Sequence, residues 1–351
     1  MTKSETVLSV AVIGAGYFAG FHVDAWLRNP DARLEAVADL DVEKARALLE
    51  AKGANGVDAV DSLPSLDARF DIIDIAAPPA THLSLIRQAL PLANRAIICQ
   101  KPFCNSLEDA REATRLAEEA GKLLIVHENF RFQPWYRVMR AELDAGRIGE
   151  PFQITFRLRP GDGQGADAYL SRQPYFQQME RFLIHETAIH WIDTFRYLMG
   201  EPKDVFADIR KLNPVIAGED AGYFLYRYDD GRRAMFDGNR LADHAADNPR
   251  LTMGECLAEG SEGAIMLDGF GVLRFRQRGA VEWQQIECDY DRRNFGGDCV
   301  YHLQRHVTDH LLRGRQIENT AGDYLRNMEI EEALYRSAES GCVISTAAVR
   351  E

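Results

Sequence analysis

The chain has 351 residues, 46% hydrophobic and 27% charged, enough apolar material for two domains with a core each. Its formal net charge of −13 opposes a polyanionic partner, so nucleic-acid binding is not expected. No run approaches the roughly 18 to 20 apolar residues that span a bilayer. The opening Met-Thr-Lys-Ser-Glu-Thr has no cationic leader pattern, and the six cysteines (Cys99, Cys104, Cys256, Cys288, Cys299, Cys342) form no C-x-x-C pairs, so a reduced, cytoplasmic protein without a membrane partner is expected.

The apolar run 7–13 reads as a first strand, followed by Gly14-Ala15-Gly16-Tyr17-Phe18-Ala19 and a helix through Arg28. A second strand, 34–38, ends at Asp39, twenty-three residues after Gly16. Strand, glycine turn, helix, strand and acid in that order predict dinucleotide binding. Gly14 permits the tight turn, Gly16 lets backbone N–H groups approach a pyrophosphate, and small Ala19 lets helix and strand pack closely. The helix that begins around Tyr17 and Phe18 offers its positive end to the phosphates. The Asp39 carboxylate accepts hydrogen bonds from ribose hydroxyls and repels a 2′-phosphate. With no cation at Leu40 or Asp41, NAD is the expected cofactor and NADP is disfavoured.

Next come a helix over 41–51, a strand at 70–76, a helix at 83–90, a strand at 96–99, a helix over 106–120 and a strand at 123–126. Ser106 and Asp109 resemble a capping box, and Gly121 a C-terminal stop. The alternation predicts an α/β, doubly wound parallel sheet over residues 1–127, with helices on both faces. Ligands of such sheets lie beyond the C-terminal strand ends. That places Ala76-Ala77-Pro78-Pro79-Ala80-Thr81-His82 and Gln100-Lys101-Pro102-Phe103 at the cofactor cleft. Ala77, Pro78, His82, Gln100 and Lys101 are therefore candidates. A helix-start cap for His82 and a solvated surface role for Lys101 are the plainer alternatives.

Beyond residue 127 one long helical segment gives way to strand alternation at 205–210, 222–228, 233–236 and 272–276, with Asp229-Asp230-Gly231 and Arg278-Gly279 as hairpin turns. A final amphipathic helix, 321–338, stops at Gly341. Residues 128–351 are expected to form an α+β domain on a largely antiparallel open sheet, for substrate binding and oligomerisation. Helices would cover one face, and a second subunit the other, giving a homodimer or homotetramer. Within it, Glu186 and His190 are four apart on a predicted helix ended by Gly200 and Pro202, about 40° apart around the axis and roughly 6 Å along it. An imidazole positioned by a carboxylate is an acid–base pair for a hydroxyl proton, whereas a structural ion pair is the plainer reading.

Asn129 and Arg131 are placed to reach cofactor or substrate, or to serve as cap and ion pair. The turn-rich stretch 161–175, with Asp162, Gln164, Asp167, Tyr169 and Arg172, is either a specificity loop or a solvated one. His302, His306 and His310 recur at four-residue spacing, but they drift by about 40° per step. Without a cysteine or paired carboxylate to complete a site, no metal is expected.

In this order the pieces resemble the glucose-fructose oxidoreductase and inositol dehydrogenase family, Gfo/Idh/MocA. The likeness covers nearly the whole chain: the glycine turn, Ala77 to His82, Lys101-Pro102, Asn129-Phe130-Arg131-Phe132-Gln133-Pro134, Gly146-Arg147-Ile148-Gly149-Glu150-Pro151, the helix around His190, and the ending from Ala333 to Gly341. The resemblance implies a Rossmann domain and an NAD(P)-dependent dehydrogenase acting on a hydroxylated small molecule, a sugar, polyol or derivative. It also implies Lys101 as the catalytic lysine, His190 as proton acceptor and Glu186 as orienting carboxylate. Members usually carry Glu-Lys-Pro and Asp-x-Gly-x-His where this chain has Gln100-Lys101-Pro102 and Glu186-Thr187-Ala188-Ile189-His190. Those departures leave two further readings open, a redox-neutral NAD-recycling glycoside enzyme and a non-catalytic dinucleotide sensor.

Overall fold

In the computed structural model, which describes residues 7–349 apart from 67 and 293, the chain forms two units. One takes the chain up to Asn129 together with Cys299–Arg326, the other Phe130–Asp298 together with Asn327 onward. The first six residues read above lie outside the described residues.

The first unit follows the expected alternation: β1 (Leu8–Ile13), α1 (Ala19–Arg28), β2 (Ala32–Ala38), α2 (Val42–Ala51), β3 (Asp58–Val60), β4 (Phe70–Ile75), α3 (His82–Ala89), β5 (Ala93–Gln100), α4 (Leu107–Glu119) and β6 (Leu123–His127). The strands lie in the order β3-β2-β1-β4-β5-β6, all parallel. Val10, Val12, Ile72, Ile73, Ile97 and Ile98 are fully buried, as a sheet covered on both faces requires. The order reverses between β1 and β4, so the crevice for a ligand opens at their C-terminal ends. Ser106 caps α4, its Oγ accepting from the Asp109 N–H at 3.1 Å. The helix Cys299–Arg313 packs on α1, with Arg305 and Arg313 both paired to Asp31. The unit is thus built from two stretches of chain rather than from residues 1–127 alone.

The second unit contains α5 (Pro134–Asp144), β7 (Pro151–Leu158), α6 (Ile189–Met199), β8 (Asp204–Arg210), β9 (Ala221–Arg227), β10 (Arg233–Asn239), β11 (Gly254–Gly260), β12 (Gly263–Leu267), β13 (Leu273–Gln277), β14 (Gln284–Ile286) and β15 (Ile344–Ser345). Their order is β14-β13-β12-β11-β7-β10-β9-β8-β15; β7 and β10 run parallel and the other pairings antiparallel. The single long helical segment expected after residue 127 is corrected here: β7 separates α5 from α6 and lies at the centre of the sheet. Its alternation, with Ile154, Phe156 and Leu158 buried and Gln153, Thr155 and Arg157 turned away, is the period-two pattern of a strand covered on one face. On the covered face Phe156 stacks on Trp191 of α6 at 4.1 Å, and Phe224 on Phe236 at 5.0 Å. The helix Ala321–Ser340 ends before Gly341, whose φ of +65° is the left-handed stop anticipated from the sequence.

Candidate active site

At the glycine turn the two glycines differ in what confines them. Gly14 has φ +110°, and a Cβ there would meet the Ala76 carbonyl oxygen at 2.4 Å, so the turn is pinned against the end of β4. At Gly16 a Cβ would meet nothing within 4 Å, which leaves that backbone open to a ligand. Ala19 is fully buried at the start of α1, where no side chain caps the helix. Its first N–H groups, with the positive end of the macrodipole, suit a phosphate. Asp39 closes the turn from the other side. Its Oδ2 accepts from the Ala15 N–H at 2.8 Å and its Oδ1 from the Asp41 N–H at 3.0 Å. The carboxylate keeps further lone pairs for ribose hydroxyls. Tyr17 stays half-exposed, its ring edge-on to Phe21 at 5.8 Å, and Phe18 packs on Phe21 at 5.3 Å.

The loops after β4 and β5 are joined by His82. Its buried ring donates from Nε2 to the Ala77 carbonyl at 2.8 Å and accepts at Nδ1 from the Cys104 N–H at 3.2 Å. That pattern needs the neutral imidazole, and burial pushes the His82 pKa down to about 4. The ring's seating is thus internal, and it fixes the two strand-end loops to each other. The Pro78 carbonyl accepts from both the N–H and the hydroxyl of Thr81, closing the turn before α3. Gln100 is nearly buried. Its Oε1 accepts from the Lys101 N–H at 2.6 Å, and its Nε2 lies 3.0 Å from His22 Nε2. Lys101 itself is partly exposed and precedes a cis peptide bond to Pro102. Asn129 is buried, with Nδ2 lacking a hydrogen-bond partner among the described residues. An open glycine backbone, an uncapped helix start, an acid at the end of β2 and an unsatisfied amide together fit a dinucleotide.

The second unit holds His190 and Glu186. Residues Leu183–Ala188 form a π-helical turn that runs into α6 at Ile189, so the expected α-helical register between the two positions is corrected: they straddle a change of helix type. The leading N–H groups of this turn are satisfied by remote acceptors. The Leu183 N–H donates to the Glu219 carbonyl, the Ile184 N–H to Glu219 Oε1, and the His185 N–H to the Tyr335 hydroxyl. The Glu186 carboxylate accepts from the Thr187 hydroxyl at 2.7 Å and lies 3.8 Å from the Arg240 guanidinium. His190, 5% exposed, stacks face to face on Phe130 at 3.6 Å with 3° between the planes. Phe130 is held in turn by its neighbour: Arg131 grips Asp193 of α6 through two bonds of 2.7 and 2.6 Å, with Asn327 donating to the same carboxylate. The pairing seen for Arg131 is therefore internal to this unit.

Arg240 was not singled out by the sequence. It is 2% exposed and donates to Asp162 Oδ2 at 2.9 Å, to the Tyr169 hydroxyl at 2.7 Å and to the Thr187 hydroxyl, with its guanidinium 4.7 Å from the Phe182 ring. Burial raises the Asp162 carboxyl, but Arg240 and Arg172 outweigh it and hold the group below the ordinary carboxylate range. The stretch 161–175 is accordingly no solvated loop throughout. Ala168 and Tyr169 join Phe176, Phe182 and Ile216 in a small core of their own, while Gln164 and Asp167 stay exposed. Of the histidines at four-residue spacing, His306 Nε2 accepts from the Glu318 N–H and His310 Nδ1 donates to the Arg315 carbonyl. Among the described residues no helix is long and apolar enough to cross a membrane.

Comparison with known proteins adds three findings. Residues 8–128 match the model of an oxidoreductase family with an NAD-binding Rossmann fold, GFO_IDH_MocA, and residues 136–266 match the GFO/IDH/MocA C-terminal domain. D-apiose dehydrogenases of Paraburkholderia graminis and Rhizobium rhizogenes are 32% and 31% identical; the alignments cover 94% and 98% of this chain, and 88% and 99% of those proteins. A crystal structure of an oxidoreductase from Agrobacterium radiobacter in complex with NAD+, L-tartaric acid and magnesium superposes with a TM-score of 0.86 at 30% identity, covering 98% of this chain and 99% of that one.

Proposed function

This chain belongs to the Gfo/Idh/MocA family of oxidoreductases and is an NAD-dependent dehydrogenase acting on the CH–OH group of a sugar, polyol or derivative; we propose that Lys101, His190 and Glu186 carry its chemistry. The observation that carries the cofactor half is the Ala15 N–H held by the Asp39 carboxylate, which couples the phosphate turn to the residue that reads the ribose. Bound NAD supplies the hydride acceptor. His190 takes the hydroxyl proton, its ring plane set by Phe130. Lys101 stabilises the negative charge that develops on the substrate oxygen. Glu186, steadied by Thr187 and Arg240, orients the polar groups about the histidine. Gly16, Tyr17, Phe18, Ala77, Pro78 and Asn129 line the cofactor's path. A branched pentose such as D-apiose is the first substrate to try, because two relatives that align over nearly the full chain bear that name.

The roles of Lys101 and His190 are tested by Lys101→Ala and His190→Asn. Each should lower kcat by about a hundred- to a thousandfold, while a calorimetric titration shows NAD binding at wild-type strength. Normal turnover in either variant would remove that residue from the chemistry.

We also propose a homodimer or homotetramer through the uncovered sheet face, in a cytoplasmic protein whose buried Cys99, Cys104 and Cys256 remain thiols. Register places Phe206, Leu225, Met235, Thr155, Leu257 and Met266 in one row across six strands, all partly exposed. Charged pairs such as Arg157 with Glu255 flank the row. Such a band suits self-association. Sedimentation of Met235→Lys should show a shift toward monomer, and a wild-type protein that is monomeric at micromolar concentration would refute the interface.

A further inference from the structure

A buried polar chain runs from the Lys101 peptide into the core of the first unit, and its direction can be read from one end. The Lys101 N–H can only donate, so the Gln100 oxygen accepts and the Gln100 amide nitrogen must donate, at 3.0 Å, to His22 Nε2. His22 then carries its proton on Nδ1, which donates to Asp74 Oδ2 at 2.8 Å, where the Trp26 indole also donates at 2.7 Å. His22 and Asp74 are fully buried. Gln304 reaches the same Asp74 oxygen at 3.4 Å and the His22 carbonyl at 3.2 Å. The other groups facing His22 are His127 from β6, with ring centroids 4.1 Å apart, and Phe18 from its own helix; the buried Cys99 thiol lies near Asp74.

An amide is the side chain that this position demands. It must accept from a peptide N–H and donate to an imidazole nitrogen at once. A carboxylate there would offer acceptors to both neighbours, and His22 would have to hold two protons between two buried carboxylates. A thioether of similar length would leave the Lys101 N–H and His22 Nε2 without these partners. Three residues along, the Cys104 N–H is held by His82, so the Lys101 loop is anchored on both sides by buried side chains.

We infer that Gln100, backed by His22 and Asp74, is a positioning residue that fixes the peptide from which the Lys101 side chain springs. The inference rests on the proposed role of Lys101 in turnover. Gln100→Met should lower kcat about a hundredfold, the scale of a misplaced reactive group, with NAD affinity retained. Adding it to Lys101→Ala should cost nothing further. Gln100→Glu keeps the shape and the acceptor for the Lys101 N–H but bridges to His22 Nε2 only while the Glu–His22 pair holds one extra proton. Its kcat should therefore fall as pH rises through the range in which that proton is lost, a limb that the wild-type profile lacks, while KM stays level. Wild-type kcat in Gln100→Met, or an undiminished loss when it is combined with Lys101→Ala, would overturn the inference. Should Gln100→Met fail to fold, a Gln100→Glu profile without the added limb overturns it equally. Normal turnover in Lys101→Ala alone would instead show that the underlying role of the lysine is wrong, and the positioning inference falls with it.

Discussion

The glycine turn of the first unit and the π-helical turn of the second both lead into a helix, and neither is capped by a side chain of its own start residue. They are shaped by different means. The first is set by backbone: Gly14 pressed against Ala76, Gly16 open, and a carboxylate twenty-four residues on that holds the Ala15 N–H. The second is set by side chains recruited from afar, Glu219 at a separation of 35 residues and Tyr335 at 150, with Arg240 reaching Thr187 from 53 residues away. A site for a phosphate can be made of peptide N–H groups and needs few special residues. A site that moves a proton needs particular side chains held in particular orientations, and that takes many partners.

Arg240→Met is the severest way to separate the two. It removes a buried guanidinium from Asp162, Tyr169 and Thr187, a loss of about 3 to 5 kcal/mol. Chemical denaturation should show the destabilisation, turnover should fall with it, and NAD titration should still report binding by the first unit. Loss of NAD binding would mean that the two turns do not depend on separate supports. Within the first unit, Gly14→Ala should cost about 3 kcal/mol through strain at φ +110° and the clash with Ala76. Gly16→Ala should leave the melting temperature unchanged and weaken NAD. Equal stability losses at both glycines would break the distinction between a pinned and an open backbone.

The last effect is a slope with pH. Burial holds the pKa of the folded His82 ring down to about 4, against 6.5 for a free imidazole, so the unfolded chain binds a proton that the native ring refuses. Its contribution to stability is complete above about pH 6.5, declines by about 2 kcal/mol at about pH 5, and is lost below about pH 4. Urea midpoints for wild type should fall over that window more steeply than those for His82→Asn. Parallel curves would show that the ring is not held neutral.

The contrast also explains what the sequence revealed. Period and punctuation are local, so β1, β2, β4, β5, β6 and the helices between them were legible, as were the tight turn at Gly14, the Ser106 cap and the Gly341 stop. β3 escaped because three residues at a sheet edge carry no period. β7 does carry one, in Ile154, Phe156 and Leu158, but it lies between helical segments whose pattern covers it. The roles of Arg240, His22 and Asp74 had no local signal at all. Each is a polar residue that makes sense only beside partners brought from elsewhere in the chain. A lone arginine after a strand, or an aspartate within Phe70–Ile75, reads as an ordinary surface or strand residue until the fold buries it. Gln100 was visible as a departure from the usual glutamate, but its reason, an imidazole that needs a donor, was not.

The most direct test of the whole account is nicotinamide absorbance on mixing the purified protein with NAD or NADP and a panel of D-apiose, aldoses, polyols and inositols. NADH should form with NAD and one sugar or polyol class, and NADP should be reduced far more slowly because Asp39 repels the 2′-phosphate. Preference for NADP would contradict the reading of Asp39. NAD binding with no reduction by any member of the panel would contradict the assignment of this chain as a dehydrogenase of such substrates.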